Sequence, residues 1–321
     1  MSGKRKIERF IYNSMPFRLL ADKSKKIILP GFDGVPLYDV IKFFIGQVKK
    51  VGLNDRARSV SFSFLTAIPA ATIFLCTLIP YLPIAKEIKR QLLLITKDIT
   101  PNQNTYLLVK NFLEDFLDKP RVGLLSFGFV LAIFYSSNAI MGIMRSFDKS
   151  LIYNTKRNIF QSRWMAIKLT ALVIVFLIGT VVILVTQDEL LRNILKWANI
   201  KSHSAKWLFK TFRWLIIIPL FYYTVAFIYK YAPAVHKRWK LRSPGTLLAT
   251  FLIVSLTYLF SYWVNKFSNY NKIYGSIGTI LILMVLVYLN SLMLLIGYEL
   301  NVSIHHLKVM AGERIEKEKN I

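Results

Sequence analysis

The 321-residue chain is 54% hydrophobic, yet it carries 43 Lys and Arg against 17 Asp and Glu, a formal excess of +26. A soluble nucleic-acid binder would share the charge but lack long uncharged runs, whereas a multi-span membrane protein combines both, with Lys and Arg gathered in the loops of one side. A single cysteine, Cys76, excludes an internal disulfide framework and a thiolate metal centre within one chain, and reads as a small buried hydrophobe.

The first 58 residues hold 13 Lys and Arg against 5 acids. They show no signal peptide, so the first long apolar run, beginning near Ser59, is expected to be a retained span. Within this segment LYDVIKFFIGQV, residues 37–48, sets apolar side chains at 37, 41, 44, 45 and 48, followed by Lys49 and Lys50. That spacing predicts an amphipathic helix, too short to cross and lying in the membrane interface.

Six runs of roughly the 20 apolar residues that cross a hydrocarbon core follow. They cover 59–82, 122–144, 164–186, 214–231, 245–264 and 277–299. Pro69 and Pro219 fall inside two of them and read as kinks that neighbouring helices tolerate. Ser59, Ser63 and Ala67 put a small residue every four positions on the first span, which lets another helix approach closely. Residues 91–116 read as a surface helix or helical hairpin over the far mouth, broken by a turn signal at 101–104. Lys168, early in the third span, is expected to snorkel to the headgroups.

An even number of spans puts both termini on one side. The loop 145–163 holds 5 basic residues against 1 acid and the loop 230–242 holds 5 against none, whereas 187–213, with 6 against 2, cuts the other way. On balance both termini are expected in the cytoplasm, the chain lying multi-pass in a bacterial cytoplasmic membrane. The expected fold is all-α and polytopic, six transmembrane helices plus interfacial amphipathic helices. A basic segment 1–58 precedes a six-helix domain 59–302, and a charged tail covers 303–321.

Soluble chemistries find no parts. There is no GxxxxGK[ST] loop, HExxH, paired cysteine or GxSxG elbow. Adjacent His305 and His306 lie about 100° apart on a helix, which argues against a shared metal site. No enzyme activity, metal or cofactor is expected, and no nucleic-acid module is recognisable.

Polar residues inside the spans carry the functional question. Thr66, Asn138, Asn290 and Glu299 would be penalised facing lipid, so they face the bundle or a wet cavity. On the last span Asn290, Gly297 and Asn301 share one stripe, while Glu299 lies opposite with Ser291 and Tyr288, so this helix should be surrounded by protein. Glu299 reads either as the partner of a Lys or Arg from a neighbouring loop or as an ion site in a transport path. The cluster Lys237, Arg238, Lys240 and Arg242 reads as an ordinary basic loop or as a contact for anionic headgroups or an anionic substrate.

Several stretches resemble the BrkB/YihY family of bacterial inner-membrane proteins, once mislabelled ribonuclease BN. The first span, RARSVSFSFLTAIPAATIFL, is similar to the family's opening span with its central proline. YSSNAIMGIMRSFDKSL runs into a basic loop as in the family, with Asp148 where Asn is usual. SPGTLLAT resembles the approach to the fifth span, with Thr246 where Ala is usual. YGSIG, with Gly275 and Gly278, followed by GYELN, residues 297–301, resembles the closing signature, with Tyr298 where a small residue is usual. The resemblance implies a six-helix membrane protein suspected of moving a solute or lipid, and makes Glu299 a design element. The three glycines read as packing positions.

The residues and the resemblance together lead to a transporter or permease for an anionic or lipid-linked molecule, without its own ATPase. Its path would run between the first, second and sixth spans past Glu299, Asn290, Asn138 and Thr66. The alternative is a non-transporting scaffold or lipid-organising protein of the envelope. Expected partners are the bilayer, anionic lipids and a possible small-molecule or lipid substrate.

Overall fold

The computed structural model describes residues 27, 29–32, 34–81, 86, 89–90, 92–93, 103–118, 121–151, 157–197, 205–235, 239–266 and 269–319. Among these residues the regular structure is entirely helical. In chain order the helices are α1 (Leu37–Lys50), α2 (Leu53–Leu78, continued by a short 3₁₀ turn), α3 (Gln103–Asp118), α4 (Val122–Asp148), α5 (Ile159–Trp197), α6 (Ala205–Tyr231), α7 (Pro244–Lys266) and α8 (Asn269–Lys319).

Five of these are long and apolar enough to cross a bilayer: Leu53–Tyr81, Val122–Asp148, Ile159–Thr180, Pro244–Val264 and Ile280–Ala311. The remaining predicted span, 214–231, falls on α6, a helix of 27 residues whose side chains are described only in part. Their outer surface is apolar. Phe62, Val130, Val175, Phe251 and Leu259 are between 63 and 68% exposed, an apolar coat that water would reject and hydrocarbon accepts. Pro69 and Pro219 sit inside α2 and α6, and both helices continue through them with the proline on the exposed side.

The six long helices close a ring. Each touches its neighbour in the chain, α2 to α4, α4 to α5, α5 to α6, α6 to α7 and α7 to α8, and α8 returns to α2. The seam between α2 and α4 is built on small residues: a Cβ added at Gly142 would lie 3.1 Å from the Ser63 hydroxyl, and one at Gly128 would lie 3.4 Å from the Phe74 backbone. Close approach of this kind replaces the hydrophobic drive that is missing between helices in lipid.

All six contribute to one buried cluster that includes Ala57, Phe147, Ala166, Tyr229, Ala249 and Tyr298. These residues lie near the start of α2, α5 and α7 and near the end of α4 and α6, so the tightest packing gathers at one end of the bundle. The basic loops meet at the same end. Arg157 donates to the carbonyls of Ala232 and Pro233, both at 2.9 Å, and the Ala234 amide donates to Asp148 at 3.0 Å.

α1 also belongs to this end. Its Val40 is fully buried with Phe32, Val35 and Ile304, and the Phe43 ring stacks on His306 with centroids 4.9 Å apart. The amphipathic helix therefore docks on α8 by one face, while Ile41 and Ile45 stay exposed beside Lys42 and Lys49, as an interfacial helix requires. Gly52, at φ +63°, supplies the left-handed turn that separates α1 from α2. At the opposite end α3 packs on α2, and an ion pair joins Lys89 to Glu114 at 3.5 Å.

One expectation is corrected. The charged segment expected as a separate tail from 303 belongs to α8, which runs on as helix to Lys319. Glu, Lys and Arg are good helix formers, and Glu313 stands four residues before Lys317, the order that supports a solvated helix.

Candidate functional site

α8 is the common element of the site, and two of its faces engage different neighbours within five residues. The first face carries Glu299, which is 0% exposed. Arg56, in the first turn of α2, reaches it with Nη1 at 2.8 Å and donates through Nη2 to the Ser146 carbonyl at the end of α4. The Ser150 hydroxyl donates to the same carboxylate oxygen. The charged partner of the carboxylate is thus Arg56 of α2 rather than a Lys or Arg of a loop, with Ser150 of the turn after α4 as a neutral donor.

Two charges taken out of water are stable only when paired and well hydrogen-bonded. Here the pairing is incomplete. Glu299 Oε2, Arg56 Nε and the Tyr298 hydroxyl are buried without a partner in the protein. Around them stands an aromatic wall: Tyr298 stacks flat on Phe147 with centroids 3.7 Å apart, and Tyr229 meets both rings edge-on. This clasp joins α2, α4 and α8 in a setting of low dielectric, where each missing hydrogen bond weighs more than at a surface.

The second face carries Gly297 and Asn301 against the start of α7. A Cβ added at Gly245 would come within 2.1 Å of the Gly297 carbonyl oxygen, and one at Gly297 within 2.6 Å of both the Gly245 oxygen and the Ala249 Cβ. Only glycine at both positions permits this crossing. Asn301 then ties it: its Oδ1 accepts the Gly245 amide at 2.8 Å and its Nδ2 donates to the Ser243 hydroxyl at 2.9 Å. The Tyr229 hydroxyl donates to the Leu294 carbonyl one turn away.

The other predicted residues do not join this cluster. Asn138 accepts from Arg163 of α5, whose guanidinium lies 4.3 Å from the Phe134 ring centroid. Asn290 accepts from the Thr257 hydroxyl of α7 at 3.3 Å, and Thr66 donates to the Ser63 carbonyl of its own helix at 2.9 Å. Gly278 is buried and Gly275 lies in the same helix. Lys240 and Arg242 are exposed on the loop before α7, while Lys237 and Arg238 lie outside the described residues. Among the described residues no group of three or more His, Cys, Asp or Glu comes together as a metal centre would require.

Sequence reasoning missed Arg56 and Ser150. A signal for Arg56 was present: it heads the stripe 56, 60, 63, 67 on the face of α2 that packs inward. It also located Asp148 without a role. The structure supplies one, since an amide oxygen at that position could accept the Ala234 N–H as well as the carboxylate does.

A family model described as virulence factor BrkB matches residues 44–320. Among curated proteins, the putative ribonuclease-like protein YfkH of Bacillus subtilis is 26% identical over 262 residues, covering 81% of this chain and 93% of that protein. The UPF0761 membrane protein IL2447 of Idiomarina loihiensis is 30% identical over 100 residues, 31% of this chain and 35% of that protein. A UPF0761 membrane protein of Tolumonas auensis is 33% identical over 75 residues, 23% of this chain and 25% of that protein. No solved structure matches the chain.

Proposed function

The chain belongs to the BrkB family of integral membrane proteins, and from that premise we propose that it is a transporter or permease for an anionic or lipid-linked molecule, with the Arg56–Glu299 clasp closing its cytoplasmic end. The observation that carries the reading is the buried, incompletely satisfied ion pair between the first, second and last spans. Ionisable residues enclosed among membrane helices are costly and mark substrate or ion pathways by default. A clasp whose groups lack some of their partners is also the kind of element that a second arrangement can satisfy differently, as two-state gating requires. The excess of basic loops at the clasp end supports placing that end in the cytoplasm of a bacterial inner membrane.

The test is transbilayer movement of fluorescently labelled phosphatidic acid in proteoliposomes. Wild type is expected to exceed protein-free vesicles, and the paired Arg56→Gln, Glu299→Gln variant to change the rate several-fold while its own melting temperature stays near that of wild type. Rates equal to empty vesicles for folded wild type would remove lipid transport from consideration.

A second reading, a scaffold or lipid-organising protein, is favoured by one observation: Thr66, Asn138 and Asn290 all spend their hydrogen bonds within the bundle. It predicts no flux and a Glu299→Gln variant whose only defect is stability.

A further inference from the structure

On four of the long helices one face is buried near the clasp and open two turns beyond it. Seven residues make almost two helical turns, so positions i and i+7 share a face. Along α5 Thr170 is 6% exposed and Leu177 61%, and along α8 Ser291 is 6% exposed and Met284 43%. On α6 Val225 is 2% exposed and Ile218 40%, and on α7 the buried Thr250 is followed by the exposed Thr257. In each pair the open residue lies farther from the clasp. These are not faces of the outer coat, for Leu177 stands about 200° around its helix from Val175, and Thr257 about 200° from Leu259.

The seams between these helices hold at the same level. A Cβ added at Gly179 would lie 3.9 Å from Leu220, across α5 and α6, and Thr257 donates to Asn290 across α7 and α8 at 3.3 Å. What opens is therefore the middle of the ring. The wall of this chamber includes Leu177, Ile218 and Met284, and its floor carries an unused donor. The Thr170 and Ser291 hydroxyls donate to the Ala166 and Val287 carbonyls of their own helices, whereas the Thr250 hydroxyl is buried without a partner among the described residues. Beneath the floor the packed rings of Phe147, Tyr229 and Tyr298 block the way to the clasp.

Apolar walls stay dry and accept hydrocarbon, while a buried hydroxyl gains by meeting an acceptor. From this pairing we infer that the chamber binds a membrane lipid, its hydrocarbon along Leu177, Ile218 and Met284 and an oxygen of its polar end on the Thr250 hydroxyl. The bilayer supplies such a molecule at the depth of these spans. The inference deepens the proposed function by naming a lipid as the cargo, and rests on it for the movement of that lipid. Binding in the chamber is tested apart from movement.

The experiment uses the full chain in nanodiscs of phosphatidylcholine and phosphatidylglycerol, with a phosphatidylglycerol carrying a diazirine in one acyl chain as the probe. After illumination, peptide mass spectrometry locates the adducts. Wild type is expected to be labelled at Leu177, Ile218 or Met284 as well as at the coat residue Val175. Thr250→Val, which keeps the shape of the side chain and removes the donor, should lower labelling of the inner residues by about three- to tenfold and leave Val175 unchanged. Melting temperatures serve as the folding control. Leu177→Cys in a Cys76→Ser background is also exposed to a water-soluble, membrane-impermeant thiol reagent. The inference is overturned if adducts on folded wild type are confined to coat residues, whether the thiol reagent reaches position 177, as in an aqueous path, or does not, as in a chamber filled by protein. It is overturned as well if folded Thr250→Val is labelled at the inner residues as wild type is. Inner adducts without transbilayer movement would defeat the transport reading and leave this site standing; movement without inner adducts would do the reverse.

Discussion

The crossing of α7 and α8 offers a quantitative test, the substitution Gly245→Ala. The added methyl would lie 2.1 Å from the Gly297 carbonyl oxygen and 2.5 Å from Asn301 Oδ1, where ordinary contact begins at 3.4 Å. The first obstacle is backbone and cannot rotate away, so the helices must part by about 1 Å. Overpacking of a tight interior costs about 1–3 kcal/mol. Parting also stretches the 2.8 Å bond from the Gly245 amide to Asn301, and a buried donor left without a partner costs about 1–3 kcal/mol more. The expected loss is the sum, about 2–6 kcal/mol. Reversible unfolding in a graded SDS titration of the detergent-solubilised protein measures it. Gly46→Ala is the control, since Gly46 lies within α1 and a Cβ there meets nothing within 4 Å; it should stabilise by up to about 1 kcal/mol through helix propensity. A Gly245→Ala variant within about 0.5 kcal/mol of wild type, the range of an unconstrained surface change, would refute the claim that this crossing requires glycine.

The clasp predicts strong coupling. Arg56→Gln or Glu299→Gln alone should cost about 3–5 kcal/mol by leaving one buried charge unpaired, and the double variant should cost well below the sum; unfolding titrations of the four proteins give the coupling directly. Asp148→Asn should leave stability within about 0.5 kcal/mol, whereas Asp148→Ala, which orphans the Ala234 amide, should lose about 1–3 kcal/mol. Val40→Asp puts a carboxylate at the fully buried contact of α1 with α8 and should release α1; limited trypsin digestion should then cut at Lys42, Lys49 or Lys50 at least about tenfold faster than in wild type, because cleavage tracks local opening.

The helical spans were legible because lipid imposes a length and a polarity on each crossing segment, and both are written locally. The two-faced character of 297–301 was legible for a similar reason, since 100° per residue separates Gly297 and Asn301 from Glu299 without any knowledge of neighbours. What each face meets was not. Arg56 lies just outside an apolar run, where a charge reads as the end of a span, and nothing near it in sequence points to a carboxylate in the last helix. Asn138 and Asn290 read as candidates for one path, yet ring order gives the first to α5 and the second to α7. The docking of α1 was hidden too, because an amphipathic helix of this length satisfies membrane interface and protein surface by the same pattern.

Arg56 and Glu299 stand 243 residues apart in the chain, and this separation bears on how the protein is made. At about 5–20 residues per second, roughly 10–50 s pass between synthesis of the first partner and the second. Through that interval the guanidinium has no carboxylate to meet, and its position in the first turn of α2 lets it remain among headgroups and water. Burial of the arginine must await the arrival of the final helix. Closing the ring and neutralising the charge are therefore one event, so a chain truncated before its last span is expected to stay open, exposing a basic edge that quality-control proteases can distinguish from the finished bundle.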